Sequence, residues 1–216
     1  MTTPAFGLAE GLALHLLPAA GREGLAASID SLPTAAQRWR RHTTGIVNAG
    51  PHTCVLEYTQ SPAEAVDAAE RDLAWLGDRV DPEGSFALAG DRLIFIPSEA
   101  TPPIRYWYCM RRRNDFSHDD YLVRYREIHS QFGLDTSGIE GYTQWHANLE
   151  ASAAACERLG IGGCPYDSIS VLDIAELKSF FTAAASTDIG ERATADEQRF
   201  VDRTNSHDHI LELVRA

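Results

Sequence analysis

One order of elements, strand-helix-strand-strand-helix-strand, runs through this chain twice. In the first pass, residues 11–17 form an apolar run stopped by Pro18 and Gly21, and read as a buried strand. Leu25, Ile29, Leu32, Ala36 and Trp39 recur at spacings of four and three, one face of a helix, with Pro33 as a break. Residues 43–47 and 52–59 read as two strands about the turn cluster Asn48-Ala49-Gly50-Pro51. Ser61, Pro62 and Glu64 make a helix start, and Val66, Ala69, Leu73, Leu76 and Val80 its apolar stripe. Asp81-Pro82-Glu83-Gly84 reads as the stop, and residues 92–96 as the last strand.

Three prolines between Pro97 and Pro103 mark a linker, and the order then restarts. Residues 104–112 form an aromatic strand. Ser117 caps a helix whose face carries Leu122, Tyr125, Ile128, His129 and Phe132, ended by Gly133. Residues 139–149 and 166–172 are strands separated by an insertion, 151–165, read as a helical turn and a loop. Asp173 with Glu176 reads as a capping box for a helix bearing Leu177, Phe180, Phe181 and Ala184. Residues 195–202 add a second helical stretch, and 209–214 the last strand.

Each half is thus a split βαβ unit of ferredoxin-like type. Helices cover one face of such a sheet, so the other apolar face needs a partner. The expected fold class is α+β: two tandem βαββαβ units, 11–97 and 104–215, packing sheet to sheet as an internal pseudo-dimer, an α+β barrel. The domain division is 1–97, mainly structural, and 104–216, carrying the pocket.

Charge excludes some functions. With 31 acidic against 19 basic residues the formal net charge is −12, a field that repels nucleic acid and anionic membranes. The residues before position 11 have no basic leader, and no run approaches a membrane span, so a soluble cytoplasmic protein is expected. Cys54 and Cys109 sit in strand-like runs and read as small buried thiols. Cys156 and Cys164 lack zinc-site spacing. His207-Asp208-His209 puts two histidines on one strand face, but no third metal ligand is identifiable. No metal is expected.

The second half carries a recognisable pattern. Arg111, Arg112 and Arg113 end a strand. A helix from Ser117 holds Tyr121, Tyr125 and His129. Tyr142-Thr143-Gln144-Trp145-His146 lies on the next strand, Tyr166-Asp167-Ser168-Ile169 opens another, and Phe200-Val201-Asp202 precedes the last. Over 104–215 this resembles the EthD-like family of the dimeric α+β barrel group, with the first half a degenerate copy in architecture only. Ser130-Gln131-Phe132 stands where that family commonly has Gly-Pro, and the 151–165 insertion is unusual for it. The resemblance implies roles in ether degradation or in natural-product cyclisation, dehydration and decarboxylation. Many members work without a cofactor, while related branches bind haem.

Read residue by residue, His129 is the foremost acid/base candidate, since an imidazole titrates near neutral pH. The bland alternative is a core histidine. Tyr142, Gln144, His146 and Asn148 alternate and share one strand face, either a pocket wall or a wet edge. In the pocket reading Tyr142 and His146 polarise a carbonyl or hydroxyl, while Trp145 packs on the opposite face. Asp167 could orient a histidine as in a catalytic triad, or close its own turn. Tyr108, Tyr125 and Phe132 supply aromatic surface for substrate, with Gln144 and Asp167 beside them. The expectation is a cofactor-independent lyase or isomerase acting on a small, apolar organic substrate, in a chain whose fused halves could still form a homodimer. A binding protein of the same fold, or a haem-dependent oxygenase using His129 or His146 as axial ligand, are the alternatives.

Overall fold

The computed structural model describes residues 4–42 and 50–214. Eight strands form one closed barrel in the order β1-β3-β2-β8-β5-β7-β6-β4. The first half contributes β1 (Gly7–Pro18), β2 (Gln37–Arg41), β3 (Cys54–Tyr58) and β4 (Val80–Ile96). The second contributes β5 (Ile104–Met110), β6 (Gly141–Ala147), β7 (Ser168–Ile174) and β8 (His207–Leu213). Within each half the strand order is the same, the last strand beside the first, then the third and the second. The two sheets face each other as expected. They also join edge to edge, β2 to β8 and β4 to β6, so no sheet edge runs open along the whole barrel.

Several local expectations shift. The first helix, α1 (Leu25–Ser31), ends before Pro33, and Trp39 lies on β2. Spacing alone placed Trp39 on the helix, but pairing of β2 with β3 and β8 overrides that pattern. The strand expected at 43–47 falls outside the described residues. Helix α2 (Pro62–Leu76) starts where Ser61 and Pro62 mark it, but stops at Gly77, whose φ of 59° a residue with a side chain rarely adopts. Asp81 to Gly84 then belong to the long β4. In the second half, α3 (His118–Arg124) is capped by the Ser117 side chain, which accepts from the Asp120 N–H. The run continues through a π-helical turn, Tyr125–His129, into α4 (Ser130–Leu134), passing Gly133. Asp173 lies inside β7, and Glu176 is the residue that precedes α6 (Leu177–Ala185). Helix α7 (Ile189–Glu197) starts earlier than the 195–202 stretch.

The 151–165 insertion is largely helix α5 (Leu149–Leu159), and its position explains it. Strand β6 pairs with β4 only from Gly90 onward; past it the Ala89 carbonyl accepts from the Asn148 N–H at 2.9 Å, while the Ala89 N–H and both groups of Ala87 have no strand partner on that side. Ser152 Oγ bonds both N–H and C=O of Ala89 at 3.0 Å, and Cys156 Sγ meets those of Ala87 at 3.3 and 3.4 Å. The helix thus satisfies an edge that would otherwise be buried without partners.

Alternation divides the residues between two environments. Trp39, Trp107 and Trp145, from β2, β5 and β6, are fully buried and converge inside the barrel. The Arg105 guanidinium lies 4.3 Å from the Trp39 ring and 6.0 Å from Trp107, and Arg92 lies 5.2 Å from Trp145. Arg105 pairs with Glu57 of β3 and, at 2.6 Å, with Asp173 of β7, while Arg92 reaches Glu57 at 3.2 Å. At the other end of the interior, His15 stacks on Phe86 at 4.4 Å, with His52 and His209 beside it. Burial, with the neighbouring histidines, holds His15 far below the usual imidazole range and His209 down to about 3.

The outer face lies under the helices. In the first half it is packed solid. Leu12, Leu14, Leu16 and Tyr58 meet Leu25, Ile29, Ala65 and Ala69, and the Tyr58 hydroxyl donates to Asp72 at 2.7 Å. No helix among the described residues is long and apolar enough to cross a membrane. Replacing Glu57 with Gln leaves Arg105 short of one of its two charge partners. Breaking such a buried pair costs about 3–5 kcal/mol, so E57Q should lose stability of that order in urea denaturation, with Asp173 unable to compensate for both arginines.

Candidate active site

The outer face of the second half is hollow. Between β5, β6 and β7 on one side and α4, α6 and α7 on the other lies a cavity of about 310 Å³, near the small end of ligand pockets. Phe132, Leu172, Phe180 and Ile189 make its apolar part, and Tyr106, Tyr108, Tyr142, His129, Glu197, Arg203 and Asp208 its polar part. Gly133 faces Tyr142 so closely that a Cβ there would collide with the phenol ring, which explains why a glycine sits inside the helical run.

His129 ends the π turn. A π turn adds one residue to the helix and re-aims the side chains that follow, and such turns recur at functional sites. The His129 Nδ1–H donates to Asp196 at 3.1 Å, and Nε2 faces Glu197 at 3.7 Å. Asp196 and Glu197 are consecutive residues at the last turn of α7, the end where the helix dipole opposes negative charge. Their environments push them apart. Burial works against the charge of Asp196, but the His129 bond and the Arg124 guanidinium outweigh it and hold its pKa below the carboxylate range. Burial prevails at Glu197 and raises its pKa, despite His129 and the Arg203 guanidinium at 2.8 Å. Asp208, raised by burial, accepts from the Tyr106 hydroxyl. Burial also raises Tyr108, and brings Tyr142 above its ordinary value.

A hydrogen-bond relay lies behind Tyr142. Gln144 Nε2 donates to the Tyr142 oxygen at 2.6 Å and to the Tyr125 carbonyl at 3.2 Å. Its Oε1 therefore accepts from His146 Nε2–H at 2.9 Å. Burial holds His146 down to about 3, so the ring is neutral and its tautomer is set by Gln144. Tyr125 stacks over the His146 ring at 5.5 Å.

Of the residues singled out from the sequence, the cavity brings together His129, Tyr142, Tyr108 and Phe132. Gln144 and Tyr125 lie behind its wall, fully buried, and His146 opens toward a separate depression with Asp91, His118 and Arg126. Asp167 does hold a histidine, but His118 rather than His129. It accepts from His118 Nδ1 at 2.8 Å and from the Arg112 N–H at 2.9 Å, and pairs with the Arg112 guanidinium. The other His118 nitrogen faces the Ala147 carbonyl at 2.9 Å. Both partners are acceptors, so the ring is held as an imidazolium that ties α3 to β6 and β7. Sequence reading missed Asp196, Glu197 and Arg203, and weighed Asp208 only within the His207-Asp208-His209 cluster. A pair of adjacent carboxylates just before Phe200 was the available signal.

Haem needs an axial imidazole nitrogen facing an open slot. His129 has Nδ1 on Asp196 and turns Nε2 toward Glu197, and His146 lies outside the cavity with Nε2 on Gln144. His146 does not fit an axial ligand, and a carboxyl 3.7 Å from Nε2 crowds that position at His129, so no step below runs through haem.

Residues 113–204 match the EthD domain family, inside the half where the cavity lies. The match covers less than half of the chain, and the likeness to an EthD domain is confined to the second half. Solved structures share the whole fold. An anthrone oxidase-like protein superposes with a TM-score of 0.57 at 9% identity, over 95% of this chain and 92% of its own. A candidate monooxygenase from Lactobacillus acidophilus gives 0.55 at 8% identity, over 96% and 95%. A chlorite dismutase variant from Candidatus Nitrospira defluvii gives 0.54 at 9%, over 97% and 93%. At such identities the likeness establishes the α+β barrel and nothing finer. No curated protein matches the sequence.

The His118 pairing predicts a pH dependence outside the cavity. The bond to Asp167 raises the pKa of His118 in spite of its burial. A raised histidine stabilises fully below its unfolded value of about 6.5 and loses that contribution as pH rises through the folded value. Thermal melts should therefore show wild-type stability declining above about pH 6.5, and H118Q should flatten that decline.

Proposed function

We propose that the second half catalyses proton transfer on a largely apolar organic substrate bearing a carbonyl or hydroxyl. The reaction is of lyase or isomerase type: dehydration, cyclisation or decarboxylation. The observation that carries this reading is His129 set between a depressed and a raised carboxyl at the wall of an apolar cavity. Two neighbouring titratable groups with opposite shifts are the mark of an acid and a base prepared for one task.

In a dehydration, His129 Nε2 takes the proton beside the substrate carbonyl. Asp196 keeps Nδ1 protonated and steadies the imidazolium. The carbon–oxygen bond of the leaving hydroxyl breaks as Glu197, in the protonated form that its burial favours, gives that oxygen a proton, and water departs. The imidazolium then returns its proton to the Glu197 carboxylate, which closes the cycle across a gap of 3.7 Å. Tyr142 accepts from Gln144, so its phenolic proton is left for a substrate oxygen. His146 acts through Gln144 as a positioning residue, fixing which way the amide points. The aromatic wall of Phe132, Phe180 and Tyr108 takes the apolar body of the substrate and keeps bulk water from the acid and the base.

A panel of aromatic β-hydroxyketones, followed by mass spectrometry in D₂O, tests this. Wild-type protein should catalyse deuterium uptake beside the carbonyl and loss of water. H129A should lower the rate by about 100-fold or more with unchanged circular dichroism. D196N should lower kcat with little change in KM, as expected of a residue that orients the base. A folded H129A with full activity overturns the assignment of the base. Tight ligand binding without exchange or product in the wild type overturns the enzymatic reading in favour of a binding role.

A further inference from the structure

The interior of the barrel contains a second constellation, which the cavity of the second half does not touch. His15 on β1, Cys109 on β5 and His209 on β8 each offer a ligand atom, and these atoms all lie within 4.8 Å of one another. His15 and Cys109 are fully buried and His209 is 2% exposed. Among the described residues, neither nitrogen of His15 nor of His209 has a hydrogen-bond partner. An imidazole buried in this way leaves a donor and an acceptor unsatisfied, at a cost that buried polar groups rarely bear. Here two rings with the same deficit point at each other and at a thiol.

We propose that the barrel interior binds a thiophilic metal ion through His15, Cys109 and His209. One thiolate and two imidazoles form a borderline-to-soft donor set, suited to Cu⁺ or Zn²⁺ and unsuited to Mg²⁺ or Ca²⁺. A three-coordinate ion at about 2.0–2.3 Å from each donor needs only small side-chain turns from the observed spacing. Charge ranks the two ions. Cu⁺ with the Cys109 thiolate is neutral, whereas Zn²⁺ leaves one net positive charge in a low-dielectric interior, close to the Arg41 guanidinium that already acts on His209. The rings are held by packing, with His15 stacked at 13° on Phe86 and His52 edge-on at 5.8 Å. His52 is itself anchored, its Nε2–H donating to the Gly84 carbonyl at 2.8 Å while its Nδ1 stays unpartnered beside the site.

The placement explains why sequence spacing concealed the site. His207 and His209 do share a face, but the ligand that completes His209 comes from β1, in the other half of the chain. The ion would thus bind both halves at once, and would add stability by mass action in proportion to its free concentration.

Metal-stripped protein titrated with Cu⁺ under anaerobic conditions, against a chromophoric Cu⁺ chelator, gives the first test. Co²⁺, as a coloured substitute for Zn²⁺, gives the second. The expected result is one equivalent of either ion bound, a thiolate-to-metal absorption band with Co²⁺, and a raised melting temperature. C109S should lose the band. H209Q should weaken affinity at least tenfold. C54S, which removes a buried thiol on β3, should retain both. If C109S is unfolded by circular dichroism, H209Q carries the test alone. Failure of both ions to bind the wild type overturns the proposal, as does equal affinity in folded H209Q.

Discussion

The Arg105 guanidinium sits between Glu57 of the first half and Asp173 of the second, with its flat face over Trp39. A charge at that depth is tolerable only while both carboxylates stay in place. Those carboxylates stand on strands that belong to different ferredoxin-like units. The pairing therefore makes sense only in the closed barrel, and it links closure to a specific register of four strands. Replacement of this network by apolar groups would give a core of similar density. What the ions add is intolerance of any arrangement in which the two sheets slide past each other.

Closure also decides where chemistry can occur. The inner faces of both sheets are consumed by three tryptophans, two arginines and their carboxylates, together with the histidine cluster. The cavity of the second half accordingly lies on an outer face, between sheet and helices. The halves treat that face differently. In the first, α1 and α2 press leucines and alanines onto β1 and β3. In the second, α4, α6 and α7 leave a void over the sheet, and the phenols of β5 and β6 look into it. One architecture thus carries a packed outer face in the first half and a cavity in the second.

Much of this was legible from local signals. Element order, the helix start at Ser61 and Pro62, the cap at Ser117, and the alternation of Tyr142, Gln144 and His146 depend on neighbours within a few residues, and they hold in the structure, although the Ser61 hydroxyl bonds Glu64 rather than a backbone N–H. Trp39 misled because its spacing from Leu25 and Ile29 suits a helix, whereas its place is decided by pairing with Leu213, far along the chain. The insertion was opaque for a related reason. A helix that satisfies the free groups of Ala87 and Ala89 answers a need created only once β4 outruns β6. Asp167 was rightly read as a carboxylate able to hold an imidazole, but which histidine it meets is a tertiary fact. The partnership of His129 with Asp196 and Glu197 depends on how α7 docks, about which residue types alone are silent.

The seam between β2 and β8 joins residues more than 170 positions apart, Trp39 to Leu213 and Arg40 to Glu212. Until β8 has been synthesised, β2 presents an unpaired edge, and an exposed edge is a template for pairing with another chain. Such distant pairing is also slow to find, since a long loop must close before any contact rewards it. The arginines that flank Trp39 on both sides of β2 then have a kinetic meaning. Arg38, Arg40 and Arg41 place repelling charge along the edge that waits longest, and Glu212, at 2.5 Å, joins Asp30, at 2.9 Å, in pairing with Arg40 when the correct strand arrives.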